Sequence, residues 1–277
     1  MWKKIPQPKQ EINLVPWIPV ATAHAIERTR IAVAFAPELS SKTVEAAGKA
    51  ADPAAAELGL FPRAALNAEN FAVGIGPDGP KLTGRKMVAW QITNAAEPGA
   101  GTEALQVDQS GIQYETSNYV RWALFMDHFL KLAGKSLDAL DAVSDAQVVS
   151  LEYFDRFIFE GEMEDGRPGD LLDATLVQIL GDPAKSGKEL WHLHRGWFGE
   201  QDGERFLVNQ NLDAVDGQTL DNKPIRTVQI MTKIERRGAD GSISLTNIAP
   251  LLEKMHTLSK ATLVGVLSAE AQSKIGL

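Results

Sequence analysis

The 277-residue chain is 44% hydrophobic and 23% charged, the balance of an ordinary globular protein, and it is long enough to bury a substantial core as one large domain or two modest ones. Its formal net charge is −8 with no basic stripe, which argues against a general nucleic-acid binder because phosphate neutralisation dominates that affinity. Cysteine is absent, excluding a disulfide framework, a thiol nucleophile and a thiolate metal site. No apolar run reaches the roughly 18 residues of a spanning helix, and the N-terminal stretch carries Lys3 and Lys4 but no continuous apolar core of the signal-peptide kind. A cytoplasmic protein without a membrane segment is the expectation.

In chain order, Pro6, Pro8, Pro16 and Pro19 predict an extended lead-in over residues 1–22. Residues 26–37 alternate, with Ile31, Val33 and Phe35 on one face, and read as a strand ended by Pro37. Ser40 or Ser41 can cap a following Ala-rich helix, which Pro53 should split into two short pieces. From Gly74 a loop is expected, then a strand over 86–92, a second loop, and a hairpin turning at Gln109-Ser110-Gly111. Trp122, Phe125, Met126, Phe129 and Leu130 recur at helical spacing over 120–134. After a short helical or looped piece comes the long aromatic strand of 148–160. Its alternation sets Val149, Leu151, Tyr153, Asp155, Phe157 and Phe159 on one face and Glu152, Phe154 and Arg156 on the other. Residues 171–180 read as another strand, followed by a hairpin over 191–215 and a strand over 225–238 with Val228, Ile230 and Ile234 inward. An Asp240-Gly241 turn, a helix capped by Thr246 or Asn247, and a short helix capped by Ser268 complete the chain.

This order gives few strand pairs joined by a crossover helix. The expected fold is therefore α+β, a largely antiparallel sheet with helices packed on one face. A single domain is expected; two similar halves, about 23–145 and 146–277, are a conjecture from the element order, since no sequence repeat joins them.

Motifs that could carry chemistry are few. Gly74, Gly76 and Gly79 have dinucleotide-loop spacing, but Pro77 and Pro80 interrupt it and a strand follows. His192 and His194 project from one strand face and, with Asp213 on the paired strand, form a candidate metal site for zinc or iron; a metal-free histidine pair in an aromatic strand is the plainer reading. Asp155 and Arg156 are the candidate ligand-binding residues, Arg156 as a fork for a carboxylate or phosphate; an ion pair that orders the strand is the plainer reading there. His256 reads as a helix-edge core residue and His24 and His128 as surface or capping residues. No Gly-x-Ser-x-Gly elbow is present, and no cofactor is expected.

Three blocks carry a family resemblance: Tyr119, Trp122 and Phe125 at the helix start, Leu151, Tyr153, Asp155 and Arg156 in the aromatic strand, and Leu252, Met255 and His256 near the end. Together they resemble the sporadically distributed, uncharacterised prokaryotic family of about 250–280 residues. The chain departs from that pattern at Ser150 and Glu152, where the family usually has Gly and Arg. The resemblance spans most of the chain and implies a shared fold, but it supplies no catalytic residues.

Two functions of different class follow. One is a non-catalytic binding or assembly protein that uses its sheet face and its six tryptophans to hold a protein partner or a second copy of itself, with the family's sporadic distribution fitting an accessory role in defence or mobile-element systems. The alternative is an enzyme or a small-ligand or metal-binding protein, with a site between the halves near Arg156, His192 and His194.

Overall fold

The computed structural model describes residues 17–67, 72–76, 79–83, 86–95, 101–219, 221–238, 243–245 and 248–277, with side chains given for 17–62 and from 89 onward among these. Most of the proline lead-in, the Pro77 turn, the Asp240-Gly241 turn and the Thr246 and Asn247 caps lie outside the described residues.

The strands are β1 (Trp17–Pro19), β2 (Ile26–Ala36), β3 (Phe61–Asn67), β4 (Ala72–Gly76), β5 (Gly79–Thr83), β6 (Lys86–Thr93), β7 (Glu103–Asp108), β8 (Gly111–Thr116), β9 (Asp145–Phe159), β10 (Trp191–Gln201), β11 (Glu204–Gln218) and β12 (Pro224–Arg237). The helices are α1 (Ser41–Glu57), α2 (Trp122–Asp141), α3 (Ala174–Leu180), α4 (Asp182–Lys185), α5 (Ile248–Val264) and α6 (Ala269–Lys274). Among the described residues ten strands form one sheet, in the order β10-β11-β12-β9-β2-β8-β7-β6-β3 with β1 also on β9. Every described pairing is antiparallel. The protein is α+β, as its sequence pattern implies.

The sheet is built twice over. Each half begins with a central strand, β2 or β9, and returns through a meander, β6-β7-β8 or β10-β11-β12, whose last strand pairs with the first. A long helix then follows, α2 or α5. Where the halves meet, the β2–β9 ladder has a bulge at each end, one leaving Glu27 of β2 unpaired and the other Gln147 of β9. Exchanging the two strands superposes Glu27 on Gln147, Val33 on Tyr153 and Phe35 on Asp155, and it carries the β2–β8 register onto that of β9–β12.

Helices α1, α2 and α5 cover one face of the sheet. The larger core cluster holds Ile31, Val33, Phe35, Leu151, Phe129, Leu252 and Met255. A smaller one gathers Trp17, Phe157, Phe159, Leu212, Val228, Ile230 and Val266. Between them runs a polar row on the helix face: Arg195, Gln210, Thr232, Tyr153 and Thr29 are successive cross-strand partners. Arg195 donates to the Gln210 Oε1 (2.8 Å from Nε, 2.6 Å from Nη2), and Gln210 Nε2 donates to the Thr232 hydroxyl at 3.1 Å. These bonds make burial of Gln210 and Thr232 tolerable.

Several local expectations change. Helix α1 runs unbroken through Pro53, which sits on an exposed side where water can take the carbonyl that proline leaves free, while Ala47, Ala51 and Ala55 are held in the core. Ser40 caps it, accepting from the Thr43 N–H. Trp90 lies so close to Gly48 that a Cβ there would sit 2.2 Å from the ring, so this helix position admits only glycine. The expected loop after Gly74 is the β4–β5 hairpin. Helix α2 is one continuous element to Asp141, with Leu130 exposed and Leu132, Ala133, Leu137 and Leu140 completing its buried face. Residues 174–180 form α3 rather than a strand, because Asp173 accepts from the Thr175 N–H and starts a helix.

Candidate functional site: a ring-lined cavity at the join of the halves

Tyr153 and Asp155 stand two residues apart on β9, so both turn to the helix face, where they are 4% and 3% exposed. Beside them the strand line formed by β1 and β2 is interrupted. The Val20 N–H donates to the Arg156 carbonyl (3.0 Å) and the Arg156 N–H to that of Ala25 (2.8 Å), while the residues between leave the sheet in a turn closed by the Ala21–His24 bridge. That excursion carries His24 to the segment preceding α2, where its Nε2–H donates to the Tyr119 carbonyl at 2.9 Å and its ring meets Tyr119 edge-on, 5.3 Å between centroids. A donor to a carbonyl must hold the proton, so in the neutral ring Nδ1 is an acceptor.

Two helices close the site. Trp122 opens α2, and its indole stacks on His256 of α5 with centroids 4.3 Å apart and planes 6° from parallel. The His256 Nδ1 and the Tyr153 hydroxyl are hydrogen-bonded at 2.9 Å. Tyr119 meets Tyr153 edge-on at 6.1 Å. The cavity these groups enclose measures about 320 Å³, with Ser259 of α5 in its wall. Arg121 and Lys260 line it and are exposed, which places them at the mouth.

Burial sets the electrostatics. Desolvation pushes the Asp155 carboxyl up to about 7, so it changes charge near neutrality. The Tyr119 phenol rises to about 12, through burial first and the Asp155 charge next. Tyr153 lies well above the usual phenol range, again through burial first, with Tyr119 and Asp155 adding to it. Burial moves the His256 imidazole below its ordinary range, which favours its neutral form. Three lining groups, Asp155 Oδ1, His24 Nδ1 and Trp122 Nε1, are buried without a hydrogen-bond partner among the described residues. Two are acceptors and one is a donor. Such groups are costly to leave unmet.

The other residues singled out by the sequence fall on the opposite face. His192, Asp213, Gln229 and Arg156 are successive partners across β10, β11, β12 and β9. Within that row His192 Nδ1 meets Asp213 Oδ1 at 2.6 Å and Arg156 pairs with Glu27 at 2.9 Å. His194 is bonded to Asn211 instead. Thus Asp213 does pair with His192, but the second histidine has its own amide partner, and among the described residues no three His, Asp or Glu side chains gather as a metal site. Asp155 and Arg156 are divided by the sheet and share no ion pair. Glu152, on the Arg156 face, is held by Arg30 at 2.8 Å.

Only Asp155 of the expected site residues lines the ring cavity. His24, Tyr119, Trp122 and His256 complete it and are far apart in sequence, which hid their convergence. The usable signals were the inward alternation of Asp155 and the place of His256 at the edge of a buried helical stripe. Comparison with family models, with curated proteins and with solved structures gives no match.

Proposed function

We propose that this protein binds a small organic molecule in the cavity between β9, α2 and α5. The observation that carries the reading is Asp155: a carboxyl 3% exposed, lining a cavity, with one oxygen lacking any partner among the described residues. A core carboxyl without partners lowers stability, and the surrounding rings and unmet polar groups are what a pocket needs to hold and orient a small ligand. Filling the cavity tests this. Ser259→Met places a longer apolar side chain in the wall, and small molecules released by denaturing the purified protein should be retained by wild type and lost from the variant, as read by mass spectrometry. Equal retention by both would remove the cavity from the function.

A second reading, assembly with another copy of the chain, is favoured by β10. This eleven-residue strand ends the sheet order, so one of its backbone edges is unpaired among the described residues, and its outer-face His192, His194 and Phe198 are exposed. Pairing of β10 with its own copy around a two-fold axis would extend the antiparallel ladder without breaking its register. Light scattering should then give a dimer mass, and a monomer at all concentrations would exclude this reading.

A further inference from the structure

Three features fix the chemistry that the cavity can satisfy, and the inference drawn from them rests on the small-ligand reading above. Deep in the site, the two unmet acceptors, Asp155 Oδ1 and His24 Nδ1, both ask for donors. Around them stand the Tyr119, Tyr153, Trp122 and His256 rings. A carboxylate inside a group of aromatic faces is the setting in which an organic ammonium is best held, since the ring faces attract positive charge and the acceptors take its N–H groups. Burial disfavours the charged form of His256, so that ring competes less for the same place.

At the mouth the preference reverses. Arg121 and Lys260 line the opening, and neither has an ion-pair partner among the described residues. Arg121 is also the N-cap position of the twenty-residue helix α2 and makes no side-chain cap hydrogen bond, so the first-turn N–H groups stay available to an anion. The Trp122 indole N–H, the unmet donor, belongs to the same turn.

We infer that the cavity takes a small zwitterionic amine, its ammonium group on Asp155 and His24 within the rings and its acidic group at the mouth against the α2 N-terminus, Arg121 and Lys260. Holding an ammonium requires Asp155 to be ionised, so binding at a pH below its folded value releases a proton from the carboxyl. The titratable or charged side chains that line the cavity with Asp155 are Tyr153 on β9, His24 on the excursion, Tyr119 and Arg121 before α2, and His256 and Lys260 on α5, and Leu277 with its carboxylate lines it as well. Glu27 and Asp213 share with it a smaller cavity on the other side of the sheet. Both tyrosines remain neutral over the physiological range.

The test uses the full chain labelled with nitrogen-15 and titrated with the ω-amino acids from glycine to 6-aminohexanoate. Each is set beside the hydroxy acid of the same length and the matching alkylamine, with the Trp122 indole and His256 ring signals as readouts. At least one amino acid should bind about tenfold or more tightly than its hydroxy acid near pH 8, and that preference should shrink about tenfold near pH 6 as Asp155 takes up its proton. Asp155→Asn should abolish both the preference and its pH dependence. Arg121→Gln should narrow the gap between amino acid and alkylamine. Equal binding of amino acid and hydroxy acid, or an unchanged preference in Asp155→Asn, overturns the ammonium assignment while the cavity still binds ligands. An alkylamine that matches its amino acid overturns the acidic end. If no probe moves either signal, the ligand class and the small-ligand reading fall together.

Discussion

In the first half of the molecule the row Val33, Ile112, Val107, Trp90 crosses four strands on the helix face. At the matching positions of the second half the row reads Tyr153, Thr232, Gln210, Arg195. Backbone pairing is the same in both, down to the bulge that each central strand contributes. The side chains differ in kind: the first row joins the apolar core with Trp90 seated on Gly48, while in the second Arg195, Gln210 and Thr232 are joined by hydrogen bonds and Tyr153 bonds to His256. Phe35 and Asp155 take the contrast to the two ends of the central ladder. The Phe35 end is closed by Leu39, Val149 and other apolar neighbours, and the Asp155 end opens into the cavity. One architecture thus tolerates either a filled or a polar, hollow end. The polar end is not something the fold requires, which points to function as its cause.

If the Phe35 end serves stability and the Asp155 end serves binding, substitutions should part along that line. Phe35→Ala leaves a void in a closed apolar cluster and should cost about 3–5 kcal/mol by chemical denaturation. Asp155→Asn should act the other way. The carboxyl's ordinary value is 3.8 and its folded value about 7, so between the two the folded chain holds a proton that the unfolded chain has released. Stability is therefore favoured at low pH and falls as pH rises through about 7, and above that the loss is complete. Asp155→Asn should flatten this slope, with a gain of up to about 4 kcal/mol near pH 8 that disappears near pH 4, measured by urea unfolding across the pH range. A wild-type curve without the slope would mean that Asp155 is ionised and partnered, and the contrast between the ends would fail. Tyr153→Phe leaves the His256 Nδ1 without its partner and should cost about 1–2 kcal/mol, with a matching shift of the His256 ring signals. A smaller change than that of an exposed control would separate His256 from β9.

Much of this architecture was legible because its signals are local. A strand buried on one face repeats every two residues, and β9 announced its inward set from Val149 to Phe159 correctly, Asp155 among them. The α2 stripe was nearly as clear, with Phe125, Met126 and Phe129 buried and only Leu130 turned outward. Local signals also misled where one outweighed another: the buried alanines of α1 hold a helix across Pro53, and the cap at Asp173, two residues from the Thr175 N–H it accepts, makes α3 of an expected strand. The site was hardly legible. His24 reads as a surface residue until the break between β1 and β2 brings it to Tyr119, and His256 as a core residue until it stacks on Trp122.

The sequence by itself determined the class of fold, the inward faces of its central strands and helices, and the lack of any thiol chemistry, because periodicity and composition act residue by residue. The tertiary structure decided that Asp155 and Arg156, adjacent in the chain, serve opposite faces. It also decided that one end of the central ladder is hollow while its counterpart is full. Those outcomes depend on which helix covers which row, and that is a matter of long-range packing rather than of any stretch of the chain.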